Sequence, residues 1–237
     1  MKKIVIALPI AVFCMLMSSC EKINGKGEVI SESREVSGYH SVSLEMSADV
    51  ELTQGDTWSC RISAQDNIMS KIMTSRDGDA LIIKLKKGIR LGHHDPIIIY
   101  LTAPSVTNLD VDGSGSITVM NDWSGSSLSA SISGSGKISI DQLTTGLFTA
   151  DISGSGDISA QSGSVTREDL KISGSGNIDV RQVTGNEVYT NTSGSGETDV
   201  NALTMLDVTI SGSGDVYYFG NPSINTHISG SGNIHRL

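Results

Sequence analysis

The sequence predicts an all-β fold, a right-handed parallel β-helix (β-solenoid) with coils of about 20 residues and a strand-rich N-terminal cap region. Three observations carry that reading. The tripeptide Gly-Ser-Gly recurs with its first glycine at 113, 134, 154, 174, 194, 212 and 230, at intervals of 21, 20, 20, 20, 18 and 18 residues. A period of this length marks a stacked solenoid, in which each repeat buries its apolar side only against its neighbours. Two places before that glycine stand Val111, Ile132, Ile152, Ile172, Thr192, Ile210 and Ile228; four places after it stand Ile117, Ile138, Ile158, Ile178, Thr198, Val216 and Ile234. Around both columns apolar and polar residues alternate, as in Leu128-Ser129-Ala130-Ser131-Ile132 and Leu206-Asp207-Val208-Thr209-Ile210. That is the period of a strand, which excludes helical repeats, and a propeller blade needs about twice the repeat length.

Taken from the N-terminus, residues 1–19 have the form of a lipoprotein signal peptide: Lys2 and Lys3, an apolar run from Ile4 to Met17, then Ser18 and Ser19. The segment Leu16-Met17-Ser18-Ser19-Cys20 resembles a bacterial lipobox, which makes Cys20 the expected lipid anchor. Several acyl chains on one residue hold firmly, since each buried methylene contributes ~0.8 kcal/mol. With Cys14 in the signal and Cys20 acylated, Cys60 has no partner, so no disulfide framework is expected. Cys60 alternates with Trp58 and Ile62, which predicts a buried thiol.

Residues 20–33, with Gly25 and Gly27 and little apolar content, read as the lipidated Cys and a tether. Residues 34–105 form an N-terminal β region, with strand-like runs at Val42–Leu44, Val50–Leu52, Ile82–Leu85 and Ile97–Leu101. Its one helical candidate starts at Asp66, expected as the N-cap. This region is expected to cap the solenoid, because an open end exposes sheet edges and core. Residues 106–237 are the Gly-Ser-Gly repeat β-helix, where Leu143, Val183 and Leu203 mark a third apolar point. The glycines predict either a corner with positive φ or a place too narrow for a side chain.

Several ordered motifs resemble the head-GIN domain family of putative autotransporter adhesins. They are Arg34-Glu35-Val36-Ser37-Gly38-Tyr39, then Val50-Glu51-Leu52-Thr53-Gln54-Gly55-Asp56, then Ile99-Tyr100-Leu101-Thr102-Ala103-Pro104, the Ser-Gly-Ser-Gly units, and the closing Tyr218-Phe219-Gly220-Asn221-Pro222. The resemblance spans roughly residues 34–237. It implies a β-solenoid domain carried by envelope lipoproteins, and it brings no catalytic residues.

Composition narrows the function classes. A formal charge of −9 excludes a broad basic face for nucleic acid. Serines on both sides of the first glycine (Ser133 to Ser229 and Ser114 to Ser231) form outward ladders, read as crowded-corner hydroxyls with no aromatic platform beside them. Acidic residues are better focused. Asn177 and Glu197 stand three places past the first glycine, Asp179 and Asp199 five past, so the four make a two-by-two oxygen cluster on neighbouring coils. Such a cluster is the candidate binding site, with Ca²⁺ one conceivable occupant. No Arg or Lys sits in these columns except Lys137. His93-His94-Asp95 reads as a loop before Pro96, not a metal site, and no nucleophile triad or phosphate loop is present.

These observations predict a non-catalytic outer-membrane lipoprotein of the cell envelope, periplasmic or surface-exposed, that binds a glycan or a cell-surface partner. Two alternatives stand beside it: a polysaccharide-active β-helix enzyme using Asp179, Asp199 and Glu197, and a structural envelope protein that associates with itself.

Overall fold

In the computed structural model, residues 21–237 are described; the expected signal peptide over residues 1–19 and the expected anchor Cys20 lie outside them. The N-terminal strands are β1 (Glu21–Ile23), β2 (Val29–Ser33), β3 (Ser41–Glu45), β4 (Asp49–Gln54) and β5 (Ser59–Gln65). After the one-turn helix α1 (Asp66–Met69) come β6 (Ile72–Asp77), β7 (Ala80–Leu85), β8 (Ile89–Leu91) and β9 (Ile98–Ala103). The repeats supply β10 (Asn108–Gly113), β11 (Ser116–Gly134), β12 (Lys137–Gly154), β13 (Asp157–Ala160), β14 (Gly163–Gly174) and β15 (Asn177–Gly194). The chain closes with β16 (Glu197–Gly212), β17 (Asp215–Gly220), β18 (Ser223–Gly230) and β19 (Ile234–Arg236).

Each repeat is one coil, stacked in parallel register on the next. Val111 pairs with Ile132, Ile132 with Ile152, Ile152 with Ile172 and Ile172 with Thr192. The fold is therefore the expected β-solenoid, and both sequence columns face its interior. Ile132, Ile152, Ile172 and Ile210 are buried, as are Ile117, Ile138, Ile158 and Ile178. The two threonines of these columns, Thr192 and Thr198, are buried with them.

Both glycine readings hold at the same corner. Gly134 has φ 124°, and a Cβ there would lie 2.6 Å from the carbonyl oxygen of Gly113 in the preceding coil. At the second glycine of the motif crowding alone decides: a Cβ on Gly156 would lie 2.7 Å from the Gly136 oxygen. The intervening serines are held by their backbone, Ser155 N–H donating to Gly134 O at 2.8 Å.

The N-terminal region continues the same stack out of chain order. β3 pairs with β10 and β4 with β11, and beneath them β7 pairs with β3 and β9 with β4, all parallel. Antiparallel strands then close this end: β6 on β7, and β5 on β9 with β2 outside it. Hydrophobic residues from both regions form a single core.

Three local expectations are corrected. The tether reading fails from Glu21 onward: β1 pairs with β8, and β2 pairs antiparallel with β5, because their backbone groups find open strand edges. The N-cap of α1 is Gln65, not Asp66, which opens the helix itself. Leu203 is 52% exposed, because the register slips between Asp179 and Thr184 and Val200 and Ala202 turn inward instead. Cys60 is buried as expected, and that burial pushes its thiol up to about 11, away from reactivity.

Candidate functional site

The solenoid presents strand faces whose outward residues repeat once per coil. On the face just past the glycine corner, register sets Asn177 beside Glu197 and Asp179 beside Asp199. The four residues of the candidate cluster thus meet on adjacent coils. Asn177 and Glu197 are exposed, while Asp199 is 5% exposed.

Arg181 changes the character of this cluster, and it stands in neither acidic column. Where the register slips, four residues from Val180 to Val183 lie against Val200 alone, so the longer coil bulges. Arg181 rises from that bulge. Its Nε donates to Asp179 Oδ1 at 2.8 Å, and its Nη2 lies 2.9 Å from Asp199 Oδ2. The guanidinium occupies the place between two carboxylates that a cation would take. Among the described residues no group of three or more His, Cys, Asp or Glu side chains is arranged to hold a metal ion. Burial pushes the Asp199 carboxyl up to about 6; Arg181 pulls it down, and the neighbouring Asp179 and Glu197 raise it.

The same face carries an aromatic pair. Asp199 is in register with Tyr217, and Tyr217 with His235. The two rings stack with centroids 4.8 Å apart and planes 19° apart. Glu197 pairs with Asp215, whose Oδ1 lies 3.8 Å from His235 Nε2 and accepts from Asn233 N–H at 2.8 Å. Partial burial and the carboxylate of Asp215 raise the Tyr217 hydroxyl above its usual range. The result is a flat strip in which hydrogen-bonding side chains lead directly onto a stacked aromatic pair. This aromatic pair belongs to the acidic column, not to the serine ladders that flank the glycine. Both rings stand five places past their coil's first glycine, so the count that aligns Asp179 with Asp199 also aligns them.

The face before the corner is polar as well. A shallow depression of about 360 Å³ runs over Thr149, Asp151, Asp169, Lys171, Tyr189 and Asp207. Lys171 pairs with Asp151 at 3.2 Å and Arg167 with Asp169 at 2.9 Å, while Asp207 accepts a hydrogen bond from Asn225 Nδ2 at 2.7 Å. The Arg167 guanidinium covers the Tyr189 ring at 4.1 Å, so that ring is already occupied. His94 lies in a loop, its Nδ1 2.6 Å from the Asp95 carbonyl oxygen, and takes no part in either face.

The architecture is that of a parallel β-solenoid with polar outer faces. The chain belongs to the family described as "Putative auto-transporter adhesin, head GIN domain", whose model matches residues 38–222. Solved structures agree in fold. A putative adhesin from Bacteroides fragilis is 22% identical, with a TM-score of 0.86 over 91% of this chain and 100% of that one. A putative lipid binding protein from Parabacteroides distasonis is 25% identical, with a TM-score of 0.75 over 92% of this chain and 100% of its own. A putative adhesin from Parabacteroides merdae is 18% identical, with a TM-score of 0.73 over 91% and 99%. No curated protein matches. No described helix is long and apolar enough to cross a membrane.

Proposed function

We propose that this protein is a non-catalytic module of the bacterial cell envelope, held by acyl chains on Cys20, that binds a glycan of a neighbouring surface. The observation that carries the reading is the Tyr217–His235 stack in register with the Asp179–Arg181–Asp199 group. Sugar rings combine an apolar face with a rim of hydroxyls, and this strip offers an aromatic surface bordered by fixed donors and acceptors. The adhesin description of the family supports the same reading. A hydrolase would need two carboxyl groups free to flank a glycosidic bond. Here Asp179 and Asp199 both engage Arg181, which supports binding over chemistry.

A glycan array probed with the purified protein tests the reading. Binding to a defined subset is expected, weakened about tenfold or more by Tyr217→Ala and unaffected by Tyr189→Ala, whose ring Arg167 already covers. Binding that ignores Tyr217→Ala overturns the assignment of the strip. Metabolic labelling with a fatty-acid analogue tests the anchor: Cys20→Ala is expected to lose all label.

A further inference from the structure

The two ends of the solenoid are finished differently. Antiparallel β2, β5 and β6 close the N-terminal end. At the other end the last described coil stands open: among the described residues β18 pairs only with β16, and all eight of its residues are exposed. The interior columns end there in the open, with Ile224 and Ile228 each 42% exposed. A bare apolar strand edge of this kind is one that proteins normally blunt or cover.

We propose that this coil is covered by the same coil of a second copy, β18 pairing antiparallel with β18 about a twofold axis through Thr226. Two features of the strand single out a second copy. The first is hydrogen bonding. In a parallel ladder alternate residues bond to opposite neighbours. Ser129 N–H donates back to Thr107 O, so the column of Ser129, which ends at Asn225, bonds to the preceding coil. Ile224, Thr226 and Ile228 therefore direct their N–H and C=O groups off the open end. An antiparallel dyad at Thr226 sets Thr226 opposite Thr226, and Ile224 opposite Ile228, with all these groups meeting partners. The inward faces stay together, so the two interiors join into one core.

The second feature is polar complementarity on the outer face. The same dyad sets His227 of one copy opposite Asn225 of the other. Asn225 Nδ2 donates to Asp207 Oδ2 at 2.7 Å, which leaves its carbonyl oxygen to accept from the imidazole while the Asp207 charge lies behind it. A dyad moved by one residue, to Asn225 or His227, still pairs inward with inward positions but separates Ile224 from Ile228 and Asn225 from His227, and one moved by half a residue pairs inward with outward positions. The contact is isologous and closes as a dimer, with no route to fibres. It goes beyond the glycan reading and does not depend on it, although it gives each assembly two strips and hence avidity.

Sedimentation of the full chain in a monodisperse detergent is expected to show a concentration-dependent dimer. Thr226→Pro removes an N–H that points off the end, so it is expected to leave the protein monomeric with its thermal midpoint within a few degrees of the parent. A parent that stays monomeric, or a Thr226→Pro protein that still dimerises, overturns the proposal. The register has its own test, which also decides the matter where Thr226→Pro fails to fold. Residues 225 and 227 face each other as a non-hydrogen-bonded pair, with Cα atoms ~4.5 Å apart and within disulfide reach. Mixing Asn225→Cys chains with His227→Cys chains under oxidation is expected to give 225–227 cross-links by mass spectrometry, well above either chain alone. Absence of that cross-link, or dominance of 225–225, overturns the dyad.

Discussion

Arg181 holds Asp199 from the neighbouring coil, its Nη2 2.9 Å from a carboxylate that is almost wholly buried. Asp199 has Asp179 and Glu197 as further neighbours, so without the guanidinium its charge would stand among like charges in a poorly solvated place. Arg181→Leu is accordingly expected to lower stability by about 2 kcal/mol at pH 8. The sign follows from the folded carboxyl, already above its ordinary range and raised further in the variant. Stability is intact below the unfolded value and is lost as pH rises through the folded one. The deficit is therefore expected to shrink at pH 4, where the folded carboxyl of Asp199 is neutral in parent and variant alike. Urea unfolding at the two pH values checks this, and an equal deficit at both would remove the electrostatic account.

What the sequence makes legible here is whatever repeats. The inward columns from Val111 to Ile210 and from Ile117 to Val216 could be counted because burial demands the same chemistry in every coil. Arg181 could not be counted, since it belongs to a bulge that exists only where Asp179 to Thr184 outruns Asp199 to Asn201. Tyr217 and His235 share a countable column, but its chemistry changes from coil to coil, so a search for identical ladders passes over it. The N-terminal coils have no Gly-Ser-Gly motif, and β7 lies under β3 through pairing of distant segments that no local period records.

The register of the columns is tested by two neighbours with opposite fates. Ile172 is 1% exposed inside the stack, while Ser173 lies at the corner beside it. Ile172→Asp buries an unpaired charge and is expected to abolish cooperative thermal unfolding. Ser173→Ala is expected to change stability by about 0.5 kcal/mol or less. Comparable losses in the two variants would contradict the assigned facing.

Two corner glycines separate backbone strain from crowding. Gly113 has φ 111° with nothing within 4 Å of the place a Cβ would take, whereas Gly134 has φ 124° and the Gly113 oxygen 2.6 Å from that place. Gly113→Ala carries strain alone, about 1–3 kcal/mol. Gly134→Ala adds a collision with backbone that cannot move without displacing the coil below. It is expected to cost at least about 1 kcal/mol more. Denaturant midpoints of the pair give the comparison, and equal costs would mean that the stacked corners do not touch as described.

The interior also holds a carboxyl. Glu168 is fully buried in the column between Phe148 and Val188, with no hydrogen-bond partner for either oxygen. It fits because Gly185 faces it: a Cβ at that place would lie 3.0 Å from the Glu168 carboxyl carbon. Burial pushes the carboxyl up to about 8, so it is protonated and neutral when the protein is folded at pH 7. Unfolded, the same group titrates near its ordinary value. Folding therefore takes up a proton between those two values, and stability falls across that interval as pH rises. It is complete below about pH 4.5, declines through neutrality, and levels off above about pH 8. At ~1.4 kcal/mol per unit the whole decline is about 5 kcal/mol. Asp199 adds a smaller fall of the same sign that ends near pH 6. Glu168→Gln keeps the shape and removes the titration, so its stability is expected to match the parent near pH 5 and to exceed it by about 3 kcal/mol at pH 8. Urea unfolding of both proteins at pH 5, 6.5 and 8 decides it. A decline between pH 6.5 and 8 that persists undiminished in Glu168→Gln would mean that another group takes up the proton.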